Sequence, residues 1–278
     1  MRHSTTFLMS LIVASILVLM FLNLVLGSVS IPLKSVWNII CGLGDEPVTW
    51  QNIVWKSRLP QALTALVAGA GLAISGLQMQ TVFRNPLAGP SVLGISSGAS
   101  MGVAFVVLLS GSLGGVALSK LGFMGEIALS IAAVIGSLSV MALIVYVSQK
   151  VKGNVTLLII GVMIGYVANA VIGVLKFFSV EEDIRAYVIW GLGSFSRVSG
   201  NQMMLFVAIM AILIPLSFLL IKTLNLMLLG DGYARNLGLN IKRARLLVIT
   251  SAGVLTAIVT AYCGPVSYTH LRAHETDS

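Results

Sequence analysis

Residues 7–27, FLMSLIVASILVLMFLNLVLG, contain no charged side chain. Runs of the same kind recur along the whole chain. A helix needs about 20 mainly apolar residues to cross the hydrocarbon of a bilayer. In that layer every backbone N–H and C=O must be bonded within the protein, which leaves helices or closed barrels. The runs here are continuous, whereas barrel strands alternate over about ten residues. Charged residues make up 9% of the chain, hydrophobic residues 57%, and mean hydropathy is +1.00. A soluble domain carries about 25% charged residues, so too little polar surface is left for a water-soluble globule. The expected fold is all-α, a polytopic membrane helix bundle. Helices are expected at 7–27, 59–82, 91–110, 122–148, 155–178, 202–223 and 244–265, the sixth kinked or ended by Pro215. The first run is too long for a signal-peptide core and lacks a clear A-x-A cleavage site, so it is read as a retained helix.

The net charge of +8 follows membrane topology and does not indicate nucleic-acid binding. With the N-terminus inside, inner segments hold Arg2, Arg84, Lys150, Lys152, Lys222, Arg235, Lys242, Arg243 and Arg245 against the single acid Asp231. Outer segments hold Lys34, Lys56, Arg58, Lys120, Lys176, Arg185 and Arg197, offset by Asp45, Glu46, Glu126, Glu181, Glu182 and Asp183. Bases near helix ends favour the cytoplasmic side, so a cytoplasmic N-terminus is expected. Cys41 and Cys263 make no disulfide framework.

Residues 58–100 read RLPQALTALVAGAGLAISGLQMQTVFRNPLAGPSVLGISSGAS. A small-residue-rich apolar stretch, suited to close helix packing, ends at Arg84, Asn85 and Pro86. A second stretch opens at Pro90. The matches RLP, GAGLAISGLQMQ, RNPLAGP and LGISSGAS, in this order and spacing, resemble the FecCD family of ABC-transporter permeases, importers of iron–siderophores, haem and vitamin B12. The resemblance implies a type II ABC importer permease, with about seven of a family total of roughly ten helices present. It also implies two ATP-binding cassette ATPase subunits, a periplasmic or lipid-anchored substrate-binding protein, and a second permease copy, identical or paralogous. The place would be the bacterial inner membrane, in contact with lipid.

The segment LGDGYARNLGLNIKRAR, Leu229 to Arg245, is too polar for lipid. Tyr233, Leu237 and Ile241 recur at the spacing of one helix face, with Ala234 and Gly238 beside them. The residues alone read equally well as a solvated loop. The resemblance implies the family's ATPase-coupling segment, matched by Gly230, Asp231, Ala234, Leu237 and Gly238. The turn Arg84 to Pro90, with two prolines, is expected to fasten helix ends at the same face. Between the fourth and fifth helices, Gly153, Asn154 and Val155 read as an ordinary loop or, by the resemblance, as the turn that narrows the cytoplasmic end of the path, without the small hydroxyl residues of the vitamin B12 branch. Asn169 reads either as a helix–helix hydrogen-bonding group or as the pathway-facing polar candidate, with Gly161, Gly165 and Gly173 suiting a wide passage.

Outside, Lys56 and Arg58 read either as snorkelling bases or, by the resemblance, as docking groups for acidic residues of the binding protein. Arg185 joins them, while Gln61 stands where the family has a second arginine.

No G-x-x-x-x-G-K-[ST] phosphate loop occurs, and no catalytic acid–base or nucleophile set converges, so no enzyme and no cofactor are expected. The competing reading is an ion-coupled secondary transporter, which needs intramembrane carboxylates or an ion cage; the nearest acid to a span is Glu126. Val266 to Thr276, VSYTHLRAHET, looks like translated sequencing adapter. The expected domain is therefore 1–265, C-terminally truncated, with 266–278 a non-native tail. His270 and His274 lie in that tail and imply no metal site.

Overall fold

Cutting the backbone at its charged and proline-rich turns yields helices throughout. The computed structural model describes residues 2–43, 46–112, 123–151, 154–198 and 200–266. The gate candidate Gly153, Lys120, and the adapter-like residues 267–278 lie outside the described residues. In order the helices are α1 (Arg2–Val25), α2 (Leu33–Cys41), α3 (Val48–Ile53), α4 (Leu59–Phe83), α5 (Ile95–Ser112), α6 (Phe123–Lys150), α7 (Asn154–Phe177), α8 (Glu181–Gly191), α9 (Gly200–Phe218), α10 (Ile221–Leu228), α11 (Asp231–Asn236) and α12 (Ile241–Cys263). Six helical stretches are long and apolar enough to cross a membrane: Thr6–Val25, Val48–Phe83, Met124–Lys150, Val155–Phe177, Gly200–Phe218 and Ile241–Cys263. The chain is an all-α, multi-pass membrane protein. The run after Pro90 forms a shorter apolar helix, Ile95–Leu109 by this measure, preceded by a 3₁₀ turn at Pro90–Leu93.

Two expected boundaries are corrected. The second span begins at Val48 rather than 59, because α3 runs into α4 through a π-helical turn at Val54–Arg58. Pro60 explains the π turn: its ring would collide with the Lys56 carbonyl of a regular helix, and it has no N–H to donate. The helix expected at 202–223 ends at Phe218, one turn after Pro215, and the chain restarts as α10.

The chain clusters into two units, Met1–Leu66 with Phe195–Leu205, and Val67–Ser194 with Phe206–Ser278. In the second, α12 is the central element, with 61% of its apolar window buried. Its Val248, Ile249 and Ala252 pack with Met79 and Val82 of α4, Ile144 of α6 and Met227 of α10. The contact between α12 and α4 also has a polar part. Ser75 Oγ lies 2.9 Å from the Ala252 carbonyl and 2.8 Å from Thr256 Oγ1, and Gln78 Nε2 donates to Ser251 Oγ at 3.1 Å. Such bonds between spans satisfy polar groups that lipid could not. Helices α5 and α6 touch backbone to backbone. A Cβ added to Gly136 would stand 2.2 Å from the Gly98 carbonyl oxygen, and one on Gly102 would stand 2.2 Å from that of Ala132.

In the first unit, Leu24, Ile31, Val36, Ile39 and Val54 form a separate apolar cluster. Cys41 is exposed and free, and Cys263 is buried and free.

Candidate functional site

The coupling candidate takes shape through its two glycines. Gly230 precedes α11 with φ 103° and ψ 149°, a backbone region open essentially to glycine alone. Gly238 follows α11 at φ 86°. There Leu239 N–H donates to the Ala234 carbonyl and Gly238 N–H to that of Arg235, both at 2.9 Å. This is a Schellman ending, which glycine suits best. Gly238 therefore shapes the turn, and no atom of the chain lies within 4 Å of where its Cβ would be. The single face expected from Tyr233, Leu237 and Ile241 is corrected. Helix α11 ends at Asn236, so Ile241 falls in α12, where it is buried. Tyr233 stays 72% and Leu237 60% exposed, while Ala234 is fully buried. The result is a short turn anchored through Ala234 that presents two large apolar side chains outward.

The Arg84 turn comes to the same place. Phe83 ends α4 and Arg84 adopts φ 49°, the only positive φ outside glycine among the described residues. Asn85 N–H donates to the Gln80 carbonyl at 3.2 Å, the long bond of another Schellman ending, with arginine where glycine is usual. Asn85 Oδ1 then accepts from Leu87 N–H at 2.9 Å, an Asx turn. The Arg84 side chain reaches Asp231 Oδ1 at 2.6 Å and the Met227 carbonyl at 3.4 Å. Arg245 of α12 approaches the other oxygen, Oδ2, at 3.9 Å. The side chains of Arg84 and Asp231 are 45% and 42% exposed. A pair so exposed contributes about 0.2–1 kcal/mol.

Asn169 is exposed and lines a cavity of about 180 Å³ with Ser91, Ser97, Gly165 and Tyr166. Gly161 lines the same cavity, and a Cβ on it would meet the Val92 carbonyl oxygen at 2.8 Å, so its lack of a side chain also lets α7 pack against the 3₁₀ turn. Of the gate candidates, Asn154 opens α7 with its side chain outside the described set, and Val155 is exposed.

On the opposite expectation, Arg58 is not an exposed docking group. It is 5% exposed. Its Nη1 donates to the carbonyls of Leu24 and Val25, both at 2.8 Å, and its Nη2 to that of Val29. These are carbonyls at and just beyond the end of α1, which no helical N–H satisfies. Burial of the cation there also suits the negative end of the helix. Gly27 makes the room: a Cβ on it would lie 2.8 Å from Arg58 Nη2. Nothing in the residues around Arg58, with Lys56, Ser57 and Gln61 beside it, pointed to its burial or its partners. Lys56 and Arg185 are exposed. Near Arg185, Asp183 is buried with Oδ2 unpartnered. Burial first, and the Glu182 charge second, raise its carboxyl above the ordinary carboxylate value.

Comparison with known proteins agrees with this architecture. The chain is 32% identical over 245 residues to the hemin transport system permease protein HmuU of Yersinia pestis, covering 87% of this chain and 70% of that protein. It is 35% identical over 221 residues to the vitamin B12 import system permease protein BtuC of Photorhabdus laumondii, covering 79% of this chain and 63% of the relative. The match to BtuC of Serratia proteamaculans is likewise 35%, over 80% of this chain and 63% of the relative. The chain thus spans about two thirds of the length of these relatives. A solved structure described as an inward-facing conformation of a metal-chelate type ABC transporter superposes with a TM-score of 0.74 at 26% identity, over 94% of this chain and 77% of that one. The sequence profile of the FecCD transport family matches residues 15–273, and the chain belongs to that family.

Proposed function

We propose that this chain is the membrane-spanning permease subunit of a binding-protein-dependent ABC importer, carrying an iron–siderophore, haem or cobalamin. The observation that carries the reading is the α10–α12 turn: two glycine-shaped ends, a buried Ala234, and Tyr233 and Leu237 held outward. A turn of this kind, apolar at its tip, suits insertion into a groove of a cytoplasmic ATPase. The relatives named for hemin and vitamin B12 point to a large metal chelate as cargo. Two permease copies would enclose the path, with two ATPase subunits below and a binding protein above. The N-terminus would face the cytoplasm. On this reading Gly230, Asp231, Ala234, Leu237 and Gly238 couple the ATPase. Gly153, Asn154 and Val155 narrow the inner end, and Asn169 faces the path. Lys56 and Arg185 are the exposed bases left for docking. The protein does no chemistry of its own; hydrolysis belongs to its ATPase partner.

The ion-coupled alternative has no support in the family or the fold. Uptake of labelled chelate into proteoliposomes decides the matter. They would contain the full-length permease with its ATPase and binding protein. Uptake is expected to require ATP on the ATPase side and to survive ionophores. Uptake that follows an ion gradient and ignores ATP would overturn the proposal.

A further inference from the structure

Arg84 occupies a position that its own backbone disfavours. A non-glycine residue at φ 49° is uncommon, and arginine has no local hydrogen bond of the Asn or Asp kind to offset the strain. Glycine would end α4 at this point more easily. The gain from keeping arginine is therefore to be sought in its side chain. That side chain joins three elements in one contact: the end of α4, the last carbonyls of α10 through Met227, and the first residue of α11 through Asp231. Asp231 is also approached by Arg245 of α12, whose Nε is buried without a hydrogen-bond partner. The carboxylate at the head of the presented turn thus stands between guanidinium groups from two membrane spans. It is held closely by one and loosely by the other.

We propose that Arg84 is a positioning residue for transport: it ties the ATPase-facing turn to α4, so that displacement of α11 moves the α4 end rather than bending the connecting loop. The inference rests on the importer reading given above. An exposed pair adds little to folding, so the consequence of losing it lies in transmission and not in stability. Arg245 is the weaker second tie, because its approach is 3.9 Å against 2.6 Å.

Arg84→Gly separates the two roles, since it deletes the side chain while giving the turn its preferred residue. The full-length permease, assembled with its ATPase and binding protein in proteoliposomes, is the protein to measure. Arg84→Gly is expected to keep the assembled complex and its thermal midpoint, while chelate taken up per ATP hydrolysed falls by about three- to tenfold. Arg84→Lys, which keeps the charge but not the fork, is expected to recover part of the loss, and Arg245→Gln to lose less than Arg84→Gly. Wild-type uptake per ATP in Arg84→Gly would overturn the inference. So would loss of the assembled complex in that variant, because it would show that arginine serves the fold. A wild-type complex with no ATP-dependent uptake would instead overturn the importer reading on which the inference rests.

Discussion

Arg58 and Arg84 bracket one apolar helix, and they are used in opposite ways. Arg58 is buried and gives its guanidinium to three backbone carbonyls near the end of α1. Arg84 is half exposed and gives its own to a carboxylate at the head of a short presented turn. Carbonyls at a helix end do not change in number or charge, so Arg58 is a fixed part of the fold. A carboxylate on a six-residue helix flanked by glycines can shift with that helix. The same residue type, at opposite ends of α4, therefore works in one place as mortar and in the other as a link. Sequence position alone suggested the reverse emphasis, with Arg58 at a docking surface and Arg84 in a structural turn.

The comparison breaks most readily at Arg58. Arg58→Glu removes the donors and sets a buried carboxylate against carbonyl oxygens. Loss of stability on the order of 3–5 kcal/mol is expected, as for an uncompensated buried charge. Thermal unfolding of the detergent-solubilised protein would register it, and Arg58→Lys should fall between. A variant as stable as wild type would mean that Arg58 is free for a partner after all. Next in size is the α5–α6 contact. Gly136→Val forces a side chain into the Gly98 carbonyl, and overpacking of this kind costs about 1–3 kcal/mol. The same assay reads it, and an unchanged midpoint would show that the two helices do not touch as closely as described.

These expectations also mark what could be read from sequence. The long spans were legible because hydrophobic runs and their Pro and charged ends are local. The outward display of Tyr233 and Leu237 was partly legible, through their spacing of one helical turn. The end of α11 was not, because helical spacing carries Ile241 onto the same face while Gly238 actually breaks the helix between them. The short helices α2 and α3 lie in a segment whose polar residues look like a loop. The Arg84–Asp231 contact joins positions 147 residues apart, and nothing in either local pattern announces the other. The burial of Arg58 depended on carbonyls contributed by a different helix, so its exposure could not be judged from its neighbours in the chain.

Smaller effects test the outward-facing surfaces. Asp183 lies outside the six spans, and the fold holds its carboxyl above the ordinary value of 3.8. A raised acid favours the protonated folded form. Its penalty is therefore absent below the ordinary value, grows as pH rises through the raised one, and is complete above it. Asp183→Asn should raise the thermal midpoint near neutral pH, and the advantage should close as the pH approaches about 4. An advantage independent of pH would show that the carboxyl is not desolvated.

The most direct test of the account lies at Leu237, exposed at the tip of the presented turn. Leu237→Asp sits on the surface and should change folding stability by no more than about 0.5 kcal/mol. In the reconstituted full-length complex, chelate-stimulated ATP hydrolysis and chelate uptake are to be measured together on this variant and on wild type. The variant is expected to remain folded in the membrane while both stimulation and uptake are lost. Stimulation and uptake at wild-type levels would contradict the account, because the turn would then not be where the ATPase is engaged.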